Sequence, residues 1–144
     1  IDSKQMQTHK DSDKKIKTIA GKFGDSEGPV KGHNVEPIYF DVELEKDKEF
    51  NFKLPSTHNS FVYLIEGEII IGDKNHKKVK NSTLILLTKG SKLKVKGVIK
   101  SKFLLISGKP IEEPIARGGP FVMNTKEEIL KAVEDYHSGN FVQK

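Results

Sequence analysis

FVYLIEGEIIIG, residues Phe61 to Gly72, is the stretch on which the fold turns. Two runs rich in β-branched and aromatic residues meet at Glu66-Gly67, where glycine can take the positive φ of a tight reversal, so the pattern predicts a β-hairpin. The same signal recurs on both sides. Upstream, Ile38, Phe40, Val42 and Leu44 alternate with Tyr39, Asp41, Glu43 and Glu45, as in a strand with one wet face. Phe50, Phe52 and Leu54 repeat it. Downstream, TLILL (Thr83 to Leu87), KLKVKGV (Lys92 to Val98) and KFLLIS (Lys102 to Ser107) follow at near-regular spacing with turn residues between them. Short strands so spaced predict an all-β sandwich or barrel.

The chain has 144 residues, about one domain, and a chain of that size buries roughly 68–70% of the surface exposed when unfolded. Cysteine is absent, which excludes disulfides, thiolate metal sites and cysteine nucleophiles, and suits a cytoplasmic or nuclear compartment. No apolar run approaches the roughly 18 residues of a membrane span, so a soluble protein with no membrane partner is expected. The first residue is Ile1 rather than Met, and a longer parent is expected. The net charge of +5 invites a nucleic-acid reading, with Lys92, Lys94 and Lys96 as a basic stripe. Leu93 and Val95 alternate with those lysines, however, and no aromatic lies among them. A solvated strand face or a blunted sheet edge explains the stripe without nucleic acid.

Residues 1–16 carry few apolar side chains and read as a flexible arm or linker. The barrel is expected over 17–108 and a tail over 109–144. Within 21–30, GKFGDSEGPV reads as a loop; Gly21-Lys22 is followed by Phe23, which rules out a phosphate-binding loop. The tail contains a helix expected at about 126–138. Thr125 and Glu128 form a capping box, Ile129, Leu130, Val133, Tyr136 and His137 share one face, and Gly139 is a ready stop.

The long segment GKPIEEPIARGGPFVMNTKEEILKAVEDYHSGNF, Gly108 to Phe141, resembles the carboxy-terminal signature of the pirin family. SFVYLIEGEIIIG with LILLTKGSKLKV is similar to the second cupin barrel of that family, so the likeness runs from about Lys17 to Phe141. It implies an all-β, cupin-type double-stranded β-helix, a jelly-roll barrel, with a short C-terminal α-helix. Pirins have two cupins, with iron in the amino-terminal one and usually no metal in the second. The resemblance therefore implies no cofactor in this chain, Fe in an N-terminal half outside it, and that N-terminal cupin domain as partner. It leaves three roles open: a structural and protein-interaction domain, part of a quercetin 2,3-dioxygenase, or part of a nuclear iron-dependent cofactor that docks on a transcription-regulator protein.

Ligand chemistry is consistent with the metal-free reading. A cupin metal motif needs His-x-His, then a glutamate three or four residues on, then a glycine after six more. Placing that glycine on Gly67 puts Ser60 at the carboxylate, and Ser56 or Pro55 with Leu54 or Lys53 at the imidazoles. Placing the second motif's turn on Gly90 puts Leu93 at the remaining imidazole. No catalytic residue and no metal ligand is assigned. His9 falls in the arm, His33 in a loop, His76 in a turn and His137 at the helix end. His58 is either a surface histidine at a strand entrance or, with Asn59 and Tyr63, part of a small-molecule pocket. Glu66 with Glu68, and Glu112 with Glu113, read as solvated pairs. In the tail, Phe121, Val122 and Met123 form an apolar strip that, with Ile129 and Val133, either anchors a second domain or closes the chain's own barrel.

Overall fold

Alternating apolar side chains fold into two antiparallel sheets that share one interior. The structure, a computed structural model, describes residues 2–31, 34–72 and 76–142; His33 lies outside them. The chain divides into two units, Ile1–Pro110 and Ile111–Lys144. The first unit holds β1 (Thr8–Lys10), β2 (Lys14–Ala20), β3 (Lys22–Phe23), β4 (Ser26–Glu27), β5 (Ile38–Leu44), β6 (Glu49–Lys53), β7 (Asn59–Glu66), β8 (Glu68–Ile71), β9 (Lys77–Lys80), β10 (Thr83–Leu86), β11 (Lys92–Gly97) and β12 (Ser101–Gly108). A six-stranded sheet runs β1-β2-β5-β12-β7-β10 and faces a four-stranded sheet β6-β11-β8-β9, the arrangement of an all-β cupin jelly roll. Ile16, Phe40, Val42, Leu44, Phe50, Val62, Leu64, Ile69, Phe103 and Leu105 fill the space between them and are fully buried.

The predicted hairpin at Glu66-Gly67 does not form. β7 pairs with β12 and β10, whereas β8 pairs with β11 and β9, so the chain passes at Gly67 from one sheet to the other. Only Gly67 separates the two strands, too short a link for a two-residue hairpin loop. Gly67 has φ +93, and a Cβ there would run into the Ser101 hydroxyl and lie 2.6 Å from the Lys100 carbonyl. That buried hydroxyl is itself engaged. Ser101 Oγ accepts from the Glu68 N–H at 3.1 Å and lies 2.8 Å from the Ile99 carbonyl, to which it can donate.

The polar opening segment is also not an arm throughout. β1 pairs with β2 through Thr8–Lys17, His9–Ile16 and Lys10–Lys15, and Ile16 is part of the core. An edge strand needs its backbone more than its side chains, which is why a polar composition concealed it. Asp11 closes the β1–β2 turn by accepting from the backbone N–H groups of Asp13 and Lys14, both at 2.8 Å, and these bonds lower its pKa to about 2. The segment read as a loop after Gly21 contains the small β3–β4 hairpin. It brings Phe23 to within 5.9 Å of Phe40 and 5.8 Å of Phe50, ring centre to ring centre.

The lysine stripe lies on β11, an interior strand of its sheet, with Leu93 and Val95 buried beneath it. It is a solvated outer face and not an edge. The edge lysines of this sheet are Lys77, Lys78 and Lys80 of β9 and Lys53 of β6.

The second unit contains β13 (Ala116–Gly118), β14 (Phe121–Met123) and α1 (Lys126–His137). The two strands pair, and the helix packs on them; at Gly118 a Cβ would collide with the Ile129 side chain. The capping box forms as predicted: Glu128 N–H donates to Thr125 Oγ1 at 3.2 Å, and Thr125 N–H donates to Glu128 Oε2 at 2.9 Å. Ser138 caps the other end, and Gly139 follows with φ +77. No helix among the described residues is long and apolar enough to cross a membrane.

Two substitutions test these junctions. Gly67→Ala combines an unfavourable φ with a backbone collision, and should cost about 2–5 kcal/mol in urea unfolding. Thr125→Ala should cost about 1 kcal/mol of helix stability, read from amide exchange along α1. The Glu128 pKa lies below its ordinary 4.5, chiefly because the Thr125 backbone N–H donates to its carboxylate. The cap's contribution from this carboxylate is therefore present above about pH 4.5 and fades as pH falls through the depressed value. Carboxyl NMR should show Glu128 titrating below ordinary glutamates.

Candidate functional site

Alternation along β7 decides which of the suggested pocket residues can meet. Ser60, Val62 and Leu64 turn inward, while Asn59, Phe61 and Tyr63 turn to the outer face of the six-stranded sheet. His58 precedes the strand in a turn closed by its own N–H on the Pro55 carbonyl at 3.1 Å. Its side chain is inside, only 5% exposed. The surface-histidine expectation is thereby corrected. So is the grouping with Asn59 and Tyr63, which strand parity places on the opposite side.

His58 belongs instead to a row of hydroxyls. Its Nδ1 lies 3.2 Å from Ser107 Oγ, which lies 2.7 Å from Ser60 Oγ. Ser60 and Ser107 are register partners on β7 and β12, and Ile38 on β5 faces Ser107 from the other side. Two proton arrangements satisfy this row. His58 Nδ1–H donates to Ser107, leaving Nε2 as an acceptor, or Ser107 donates to Nδ1, leaving Nε2–H as a donor. Either way, Nε2 is the polar ring atom left for other company. His58 lines a cleft of about 390 Å³, with Ile38, Pro37, Pro55 and Val30 as apolar walls and Glu27, Lys31 and Glu36 at hand.

The positions where cupins hold a metal do not fit one. Leu54 and Leu93 are buried and offer no donor atom, and Ser60 is hydrogen-bonded to Ser107. First-row ions take imidazole nitrogen and carboxylate oxygen, which these residues do not supply. Among the described residues, no group of three or more His, Cys, Asp or Glu side chains converges.

In the second unit, Phe121 and Val133 line an apolar groove of about 450 Å³ together with Tyr136 and Phe141. Ring centres of Phe121 lie 6.1 Å from Tyr136 and 5.2 Å from Phe141. Ile129 is half-buried against the hairpin, Met123 is half-buried, and Val122 points away and is exposed. Of the expected packing set, then, the groove gathers two. Phe141 was not expected there, because it follows the helix stop and has no periodic signal.

Comparison with known proteins agrees with this architecture. The family model of the pirin C-terminal cupin domain matches residues 39–142. A crystal structure of a quercetin 2,3-dioxygenase from Acinetobacter baumannii superposes with a TM-score of 0.85 at 30% identity, covering 98% of this chain and 49% of that one. A pirin-like protein of Solanum lycopersicum is 38% identical over 104 residues, 71% of this chain and 36% of that protein. Human pirin is 36% identical over 104 residues, 70% of this chain and 36% of its own. The chain thus spans less than half the length of these relatives. Family model and fold agree, and the chain belongs to the pirin C-terminal cupin domain family.

Proposed function

We propose that this chain is a non-catalytic scaffold and interaction domain that packs against an iron-bearing cupin of the same polypeptide. The observation that carries the reading is the apolar outer face at the β10 edge of the six-stranded sheet. There Leu84 pairs with Tyr63 and Leu86 with Phe61; across β7, Tyr63 faces Leu104 and Phe61 faces Ile106. Tyr63, Leu84 and Leu86 remain 38%, 55% and 76% exposed. Fully burying one such side chain is worth about 1.5–3 kcal/mol, so a partner covering this patch gains substantially. Bare apolar edge strands invite uncontrolled pairing, another reason for a cover. The occupant we assign is a companion cupin, because the relatives are more than twice as long as the portion this chain matches. The tail groove around Phe121 adds a second apolar surface of the same character.

On this reading, any oxygenase chemistry like that named for the Acinetobacter baumannii protein resides in the companion cupin with its iron. The scaffold role assigns none to His58, Ser60 or Ser107.

The purified chain, incubated with ferrous iron and desalted, should retain only substoichiometric iron and should not consume quercetin in air. Stoichiometric iron or turnover by the chain alone would overturn the non-catalytic assignment. In a polypeptide carrying both cupins, Leu84→Asp with Leu86→Asp should split one thermal transition into two and speed proteolysis between the halves. An unchanged single transition would remove this face as the docking surface.

A further inference from the structure

The cleft above His58 is not used by the scaffold role, and its construction is that of a binding site. We propose that it takes a small, uncharged, mostly apolar molecule bearing one hydroxyl or N–H group, held by His58 Nε2.

The polar atom is held in place by its ring, reachable from outside and, among the described residues, unspent. His58 is 5% exposed, and among the described residues the polar contact of its ring is Nδ1 on Ser107. Ser107 is itself buried and held by Ser60 at 2.7 Å. The ring is thus fixed from behind, and moving a proton along the hydroxyl row lets Nε2 act as acceptor or donor without any change in side-chain position. The walls set the rest of the ligand. Pro37, Ile38, Pro55 and Val30 present hydrocarbon to a space of about 390 Å³, in the size range of small-ligand pockets.

Charge excludes one class. Lys31 at the cleft is already paired with Glu27 at 3.1 Å, and Glu36 adds a second carboxylate, so among the described residues the lining carries one cation against two anions. An anionic ligand meets repulsion and, among the described lining residues, no free cation. Glu36 also has φ +45, an uncommon conformation for glutamate, beside a strut in which Lys109 N–H donates to the Val35 carbonyl at 2.7 Å. Strained residues of this kind gather at ligand clamps.

The test uses the intact chain and three probes of one shape: phenol, toluene and benzoate. Phenol should give saturable shifts confined to His58, Ile38 and Ser107 in NMR titrations, with the largest change at His58 Nε2. Toluene and benzoate should bind at least about ten-fold more weakly. His58→Phe should weaken phenol by a similar factor. Pro55 is exposed, so Pro55→Trp obstructs the cleft from its rim without touching the core, and it should abolish the shifts even where His58→Phe fails to fold. Equal binding of toluene or benzoate, scattered unsaturable shifts, or phenol binding unchanged in folded Pro55→Trp would each overturn the site. None of these readouts depends on iron, quercetin turnover or the docking face, so this inference and the scaffold role fail separately.

Discussion

The structure depends on aromatic contacts that bind the two sheets across their shared interior. Phe103 of the six-stranded sheet meets Phe50 of the four-stranded sheet edge to face at 5.5 Å, and Phe40 meets Phe52 at 5.0 Å. Removing one buried Phe side chain costs about 3–5 kcal/mol, set against a whole-domain stability of about 5–15 kcal/mol. These few rings therefore decide whether the sheets stay together. An interior so filled leaves little room for polar groups; Thr18 Oγ1 has no partner among the described residues, whereas Ser101, Ser107 and His58 find theirs in it. The Ser60–Ser107–His58 row and the Ser101 hydroxyl at the sheet crossing are two such arrangements, each closed by short-range bonds.

What could be read in the sequence, and what could not, follows from the range of the interactions concerned. The strands were legible because parity alone, inward and outward, records burial at every second residue. The capping box was legible because Thr125 and Glu128 are three residues apart and need nothing else. Parity does not say which sheet a strand joins, so the reversal at Gly67 was read as a hairpin when it is a crossing. His58 was misread for a related reason. Its burial depends on Ser107, 49 positions away, and no local pattern couples the two. The opening strand was missed because Thr8–Lys10 contributes backbone pairing and hardly any hydrophobic surface.

One strand illustrates how a single pattern serves two ends. Along β7, Val62 and Leu64 build the core while Phe61 and Tyr63 line the outer face. In an ordinary half-wet sheet the outward positions would be polar, as Asp41, Glu43 and Lys102 are elsewhere on the same sheet. Apolar residues on both faces describe a strand covered on both sides. The outer face is therefore uneven, charged toward β2 and β5 and greasy toward β10. That asymmetry is what singles out the β10 side as the proposed docking surface.

The leucines at the motif positions follow from the same energetics. Buried leucine at positions 54 and 93 stabilises the barrel by hydrophobic transfer, about 1.5–3 kcal/mol per side chain. A buried imidazole or carboxylate there would instead need partners, and without a cation each unsatisfied polar group costs about 1–3 kcal/mol. A barrel cannot pass gradually between these states. Restoring one ligand position leaves a lone polar group among hydrocarbon, and only the full set, together with the ion, recovers the loss. With leucine at 54 and 93 and a hydrogen-bonded serine at 60, the interior is committed to packing, and the β10 face and the His58 cleft are the proposed contact surfaces.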